Sequence, residues 1–346
     1  MSLSKYTKYF TAKSFKEYYD ILREHATKDQ STPRTILAAL GTVVLIRQSF
    51  RFLGFVYRNF LRGGYDLAKR YGAPSWVVVT GASDGIGKAF AFEFASLGFN
   101  VVIIGRNKAK CEKVIEEIKG FNPKAELKLI VADFANSFKP GFYDDIYSEL
   151  KDLDISVLVN NVGDNQRGLF ATKTPKSLWD LVTVDTLPQS ALTHMLIRKL
   201  STRGKNRAAI INMSSIVSDY NFVYNCVYAA AKRFDEIQTR ALIEEYGDKV
   251  DFLCLKPGWV LTQLAIGIRE AWNATTAQKF VKHSLKQLAH ENVVKGHWKH
   301  EVVALHLDYF LWYKIAPREV VKKRLEASEK AYNERKQEEN KATTSS

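Results

Sequence analysis

Hydrophobic positions in this chain are arranged in two distinct ways. From Ile36 to Ile46 the run ILAALGTVVLI carries no charge. The continuation RQSFRFLGFVYRNFLR places Arg47, Arg51, Arg58 and Arg62 within about 60° of one another around a helix, with Phe, Leu, Val and Tyr filling the rest. The uncharged run falls short of the roughly 20 residues needed to cross a bilayer. The two pieces are therefore read as an apolar stretch followed by a helix lying in the headgroup layer, with its arginines toward phosphate. A hydrophobic helix packed on the domain or on a partner subunit is the alternative.

After Gly72 short β-rich runs alternate with helical stretches. Strands are expected at WVVVT from Trp76, VVIIG from Val101, LKLIVAD from Leu127, ISVLVN from Ile155, AAIINMS from Ala208 and DFLCLK from Asp251. Most are continuous apolar runs, as strands covered on both faces require. The alternation predicts βαβ units and an α/β, Rossmann-type doubly wound parallel sheet in a single domain. The expected organisation is a polar extension over 1–35, a membrane-anchoring segment over 36–62, this domain over 72–313 and a charged, solvated tail over 319–346.

Composition refines this reading at few points. With 46% hydrophobic and 25% charged residues, the chain has ordinary globular character, which excludes disorder and a multi-span membrane protein. The net charge of +14 favours acidic partners such as anionic lipid or a phosphate-bearing cofactor. The basic residues are dispersed and form no recognised motif, so nucleic acid is not among the expected partners. Cys111, Cys226 and Cys254 show no paired spacing, so neither a disulfide framework nor a metal site is expected. The first thirty residues lack an apolar signal-peptide core, and the sequons at Asn212 and Asn273 are read as chance.

The first strand runs into Thr80-Gly81-Ala82-Ser83-Asp84-Gly85-Ile86-Gly87 and then a helical stretch. Glycines at these spacings permit a tight turn, close approach of backbone to a pyrophosphate and packing of helix on strand. The second strand ends Ile104-Gly105-Arg106. An acid at that point would hold ribose hydroxyls, whereas a guanidinium binds a 2′-phosphate, so Arg106 argues for NADP(H).

Tyr228-Ala-Ala-Ala-Lys232 puts a phenol and an ammonium on one helix face. Bringing a phenol from about pKa 10 to near 7 takes roughly 4 kcal/mol of preferential stabilisation of tyrosinate, for which a close lysine is a suitable source. Ser215, thirteen residues earlier, ends the fifth predicted strand. The fourth ends Asn160-Asn161-Val162-Gly163 and the sixth Lys256-Pro257-Gly258-Trp259, so polar or glycine-rich turns gather at the carboxyl ends of the strands, where ligands bind in such sheets.

TGxxxGxG, NNxG, a serine thirteen before YxxxK and a PG turn, in this order, resemble the short-chain dehydrogenase/reductase family. Over about residues 40 to 300, LAKRYGAPSWVVVTGASDGIGKAFAF, LVNNVG, AIINMSS, QKFVKHSLKQLA and GHWKH are similar to the membrane-bound very-long-chain 3-oxoacyl-CoA reductases and related 17-beta-hydroxysteroid dehydrogenases. The resemblance implies Tyr228 as general acid, Lys232 holding the nicotinamide ribose and tuning Tyr228, and Ser215 orienting the carbonyl. It implies cofactor contacts from Gly81, Ser83, Asp84, Gly85, Ile86 and Gly87, and from Pro257, Gly258, Val260 and Thr262. Asp133 would meet adenine and Asn160 would support the cofactor. At the position of the family's catalytic asparagine this sequence has Asp185, in a helix that Pro188 would bend while freeing the Val184 carbonyl. An ionised Asp185 at about 6 Å would oppose tyrosinate by roughly 3 kcal/mol.

The implied activity is NADPH-dependent reduction of a 3-oxoacyl-CoA in fatty-acid elongation, at the cytosolic face of the endoplasmic reticulum membrane. Membrane lipid, other elongation enzymes and a second copy of the chain are the implied partners, with Trp259 to Phe280 expected as a lid. Oxidoreduction of a steroid or another lipophilic alcohol is the rival reading. A noncatalytic cofactor-binding scaffold is the other: Asp185 lends it weight, while Ser215, Tyr228 and Lys232 oppose it.

Overall fold

The computed structural model describes residues 32–204, 206–220, 224–262 and 272–309, with isolated helical positions within 16–24 and at 323 and 330. The central stretch of the expected lid, the tail over 319–346 and nearly all of the extension over 1–35 lie outside the described residues. The chain divides into two units, Met1–Arg62 and Gly63–Ser346.

The first unit is dominated by α1, Thr32–Val56, which runs on as a π-helical turn, Tyr57–Leu61. The apolar run and the arginine-bearing run are thus one continuous helix, which corrects the expected division at Arg47. Counting uncharged residues ended the apolar run there, but nothing in the backbone breaks. Residues Thr35–Leu61 make a 27-residue helix that holds an 18-residue window of mean hydropathy 1.5, long and apolar enough to cross a membrane by length and composition.

In the second unit α2, Leu67–Tyr71, leads to β1, Trp76–Thr80. There follow α3, Gly85–Ser96; β2, Asn100–Gly105; α4, Lys108–Phe121; β3, Leu127–Val131; α5, Phe142–Leu150; and β4, Ile155–Asn160. Then come α6, Pro175–Ser201; β5, Ala208–Met213; α7, Cys226–Tyr246; β6, Val250–Leu255; and the two-residue β7, Val260–Leu261, and β8, Thr275–Thr276. The described elements end with α8, Ala277–Leu285; β9, Val293–Val294; and α9, Trp298–Tyr309.

All six expected strands form, and β9 joins them in a seven-stranded sheet of order β3-β2-β1-β4-β5-β6-β9. Every pairing in it is parallel. This is the doubly wound α/β architecture. Strand residues alternate between two cores: Val77, Val79, Val101 and Ile103 pack with Phe90, Phe94 and Phe280, while Val78, Val102, Ile104 and Leu158 pack with Leu192, Leu196 and Leu150. Helices α3, α4 and α8 cover one face and α5 and α6 the other. Chain order reverses between β1 and β4, opening a crevice at their carboxyl ends.

At the opposite, amino edge, Asp251 takes hydrogen bonds from Arg70 Nε (2.6 Å) and Nη2 (3.0 Å), Tyr71 Oη (2.9 Å) and Arg207 Nε (2.9 Å). Tyr71 and Leu67 are buried in the core, so the folded unit takes in α2 ahead of Gly72. Removing one partner from a buried ionic cluster leaves the others uncompensated. Asp251→Ala is expected to destabilise the second unit by about 2 kcal/mol, at the low end of such losses because both arginines are partly solvated. Chemical denaturation checks this, and an unchanged midpoint would refute the hub role.

Candidate active site

The turn after β1 uses backbone geometry that L side chains rarely adopt: φ is 63° at Gly81 and 56° at Gly85. Thr80 pins it from beneath. Its Oγ1 donates to Val159 O (3.3 Å) and accepts the N–H groups of Asn161 (2.9 Å) and Val162 (3.0 Å). Asn161 Nδ2 in return donates to Thr80 O (2.9 Å) and Gly81 O (3.3 Å). A Cβ at Gly87 would lie 2.3 Å from Gly81 O and 2.5 Å from Asn161 Nδ2, so α3 can start against the turn only with glycine there. Asp84 caps α3 by accepting the Gly85 N–H (2.6 Å).

The turn, Arg106 and the ends of β3 to β6 surround one cleft of ≈ 830 Å³. Gly81, Ser83, Asp84, Gly85 and Ile86 line it, with Arg106 and Asp133 on the same side. Pro257, Gly258, Val260 and Thr262 close it from beyond β6, and Ser215, Tyr228 and Lys232 stand in its wall. Close-approach glycines, a helix N-terminus and the cations Arg106 and Lys110, with no acid at the end of β2, fit a phosphate-bearing dinucleotide.

Three of the expected site residues stand behind this surface. Gly87 supports the turn. Asn160 does not reach the cleft, which corrects its expected cofactor role: it pairs in register with Asn212 and its buried amide donates to Asn212 Oδ1 (2.8 Å) and Thr193 Oγ1 (3.1 Å). Its neighbour Asn161 lines the cleft instead. Asp185 is buried under Lys232, in an α6 that continues through Pro188.

Ser215 lies two residues past the end of β5 and caps the following short turn by accepting the Val217 N–H (3.4 Å), and it stands with Tyr228 in the wall of the cleft. Ser214 Oγ donates to Lys232 O (2.6 Å), fastening α7 to the strand end. Lys232 Nζ donates to Asp235 Oδ2 (2.9 Å) and Met213 O (3.1 Å) and lies 3.2 Å from Asp185 Oδ1. Although burial opposes its charge, the two carboxylates hold the ammonium above its ordinary range. Burial pushes the Asp185 carboxyl up to about 7, with Lys232 opposing and Asp235 adding to the rise. Burial likewise pushes Asp235 up to about 6 against Lys232.

The Tyr228 phenol is raised, not lowered as the nearby lysine suggests. Burial dominates, and Asp185 and Asp235 offset much of what Lys232 and Ser215 contribute. Asp235 was not singled out from the sequence, although its position three after Lys232 on one helix was the available signal. Lys110 and Arg167 also line the cleft and carried no sequence signal beyond their charge.

Residues 75–273 match the short chain dehydrogenase family. The chain belongs to that family. Inactive hydroxysteroid dehydrogenase-like protein 1 of Homo sapiens is 33% identical over 257 residues, 71% of this chain and 76% of that protein. The very-long-chain 3-oxoacyl-CoA reductase of Bos taurus is 34% identical over 249 residues, 70% of this chain and 78% of that one. Among solved structures, a short-chain dehydrogenase from Sphingobium yanoikuyae in complex with NADPH has a TM-score of 0.58 at 23% identity, covering 64% of this chain and 86% of its own. The relatives of this short-chain dehydrogenase thus include a named reductase and a protein named inactive.

Arg106 is expected to make NADPH bind at least about tenfold more tightly than NADH, a difference of about 1.4 kcal/mol, and Arg106→Asp to erase the preference. Fluorescence titration of both nucleotides measures this. Equal dissociation constants in the wild type would remove Arg106 from the phosphate site.

Proposed function

We propose that this chain is an NADPH-dependent carbonyl reductase that converts a 3-oxoacyl-CoA to the 3-hydroxyacyl-CoA in fatty-acid elongation. The observation that carries the reading is the convergence of Ser215, Tyr228 and Lys232 on a cleft whose other half suits a phosphorylated dinucleotide. The glycine turn, the start of α3, Arg106 and Lys110 would hold NADPH, which supplies the hydride. Ser215 and Tyr228 hydrogen-bond the carbonyl oxygen, and Tyr228 gives it the proton. A phenol held above its ordinary value stays protonated at neutral pH, the form that reduction consumes.

Beyond Tyr228 the cleft is lined by Val184, Val217, Val303 and Leu307, which suit an acyl chain and a fused-ring ketone equally. Steroid oxidoreduction therefore stands as the second reading. Arg167 favours the first: its guanidinium lies 5.3 Å from the centroid of the Trp259 ring, in the cleft wall. An arginine oriented by an aromatic face suits the phosphates of coenzyme A and gives a neutral ketone little.

The length and hydropathy of α1 support attachment to a membrane, which on the acyl-CoA reading is that of the endoplasmic reticulum, with the reductase unit facing the cytosol beside other elongation enzymes. Exposed Trp179 and Leu187 on α6 and Phe234 and Ile237 on α7 support a homo-oligomer.

NADPH oxidation by the purified full-length protein, with a 3-oxoacyl-CoA beside a panel of ketosteroids, tests the reading. Turnover of the acyl-CoA is expected. Tyr228→Phe should lower kcat by on the order of a thousandfold while NADPH binding is kept. Arg167→Ala should raise KM for the acyl-CoA about tenfold and leave any ketosteroid unaffected. Bound NADPH with no carbonyl reduced would instead make the chain a nucleotide-binding scaffold.

The full-length protein is expected to sediment with membranes, and deletion of residues 1–62 to release a unit that still binds NADPH. A truncated protein that folds, binds nucleotide and stays with the membrane would place the anchor elsewhere.

A further inference from the structure

Lys232 has three ammonium hydrogens and three acceptors around it: Asp235 Oδ2, Asp185 Oδ1 and Met213 O. The group is buried in the cleft wall, with Lys232 4%, Asp185 2% and Asp235 1% exposed. Gly163 packs directly on it, since a Cβ there would lie 2.7 Å from Asp185 Oδ1 and 3.3 Å from Lys232 Nζ. Asp185 Oδ1 also accepts the Asp164 N–H (3.1 Å). The other oxygen of each carboxylate, Asp185 Oδ2 and Asp235 Oδ1, is buried without a partner.

Charge does not balance in this arrangement. Two ionised carboxylates around one ammonium leave a surplus negative charge in a water-excluded site, which burial strongly disfavours. The neighbouring elements bring no second cation among the described residues. On α7 the site faces Tyr228 and, further along, Glu236. On β6 it faces Cys254, whose thiol burial pushes up to about 12 and so keeps neutral. Lys256, also on β6, is committed to Glu236 and Asp219. Arg233 and Arg240 bind Glu236 at 2.9 Å each. From the loop after β4, the Asp164 carboxylate is held by Gln166 Nε2 (3.0 Å) and the Asn165 N–H (2.8 Å).

We propose that Asp185 and Asp235 hold one proton between them in the working protein, leaving Lys232 with a single counter-charge beside Tyr228. The two vacant oxygens, one on each carboxylate, are the atoms available to carry it. Both carboxyls titrate well above the usual carboxylate range, and two acids on one ammonium titrate as a pair. A proton on either vacant oxygen leaves the oxygens that face Lys232 in place to accept from its ammonium. Asp185 and Asp235 are thus positioning residues for Lys232. In its protonated form Asp185 is a neutral hydrogen-bonding group beside Lys232.

The proton is lost as pH rises through the range of the pair, and the cluster then becomes negative and resists formation of tyrosinate. This consequence for turnover rests on the reductase reading; the presence of the proton does not. Infrared difference spectra of the full-length, substrate-free protein, titrated from about pH 5.5 to about pH 9, test the proposal directly. The expected result is a protonated-carboxyl C=O band that persists above the range of exposed acids and disappears by the alkaline end. It should be absent from Asp185→Asn and from Asp235→Asn, because each leaves one carboxylate matched to one ammonium, and present in Asp235→Glu.

Either asparagine variant suffices if the other does not fold. In an active enzyme each should also move the pH profile of alcohol oxidation down by about one unit. No such band in the wild type, or a band that survives in every folded asparagine variant, overturns the proposal. A protein that shows the band yet reduces no carbonyl overturns the reductase reading and leaves the shared proton standing.

Discussion

Everything at the carboxyl edge of the sheet depends on the clasp between Thr80 and Asn161. Two strands adjacent in space but distant in sequence splay apart where chain order reverses, and a crevice between them needs a floor. Thr80 supplies it by accepting from two successive N–H groups of the β4 exit, while the Asn161 amide returns to the β1 exit. The glycine turn is thereby fixed relative to β4, and with it the start of α3 and the wall that faces Ser215 and Tyr228. Loss of the clasp would free the glycine turn and the start of α3 from the β4 exit.

A second fastening acts on α7. Glu236, one turn beyond Lys232, is buried, and burial would raise its carboxyl. Lys256, Arg240 and Arg233 overcome that and hold it down at about 2. The stability this contributes is complete above the unfolded carboxyl range and is lost only as pH falls toward 2. Lys256 reaches Asp219 as well, and Lys295 joins from the approach to α9. One network therefore ties the helix that carries Tyr228 to the turn after Ser215 and to the strand that leads into Pro257-Gly258. The same helix thus carries Glu236, which several cations serve, next to Asp235, which shares Lys232 with Asp185 of α6.

The sheet was legible because strands buried on both faces must be apolar throughout, and six such runs stand out against their surroundings. Val293–Val294 could not be seen that way: two residues make no pattern, and their pairing with Cys254 and Leu255 comes from tertiary placement alone. The long N-terminal helix was read as two pieces because arginines interrupt the hydropathy run. Arginine stems can lie along apolar surface, so a few spaced cations need not end a helix. At the site, the glycines, Arg106, Ser215, Tyr228 and Lys232 were readable as motifs. The choice between Asn160 and Asn161 was not, because it turns on the parity of a strand's last residue. Nor was the direction in which Tyr228 is perturbed, since that depends first on its burial, with Asp185 and Asp235 adding to the rise from two helices.

The Asp251 cluster lies at the amino edge of the sheet, where α2, the start of β6 and the approach to β5 are gathered by a single carboxylate. The cleft lies at the other edge. Cohesion and chemistry are thus assigned to opposite rims of one scaffold, separated by the length of the strands. The loops at the carboxyl rim can change in length and composition, and with them the molecules admitted, while the amino rim keeps the same fastening. A fold divided in this way can give rise to proteins of different specificity, and even to some that have ceased to turn over substrate, without first having to solve folding again.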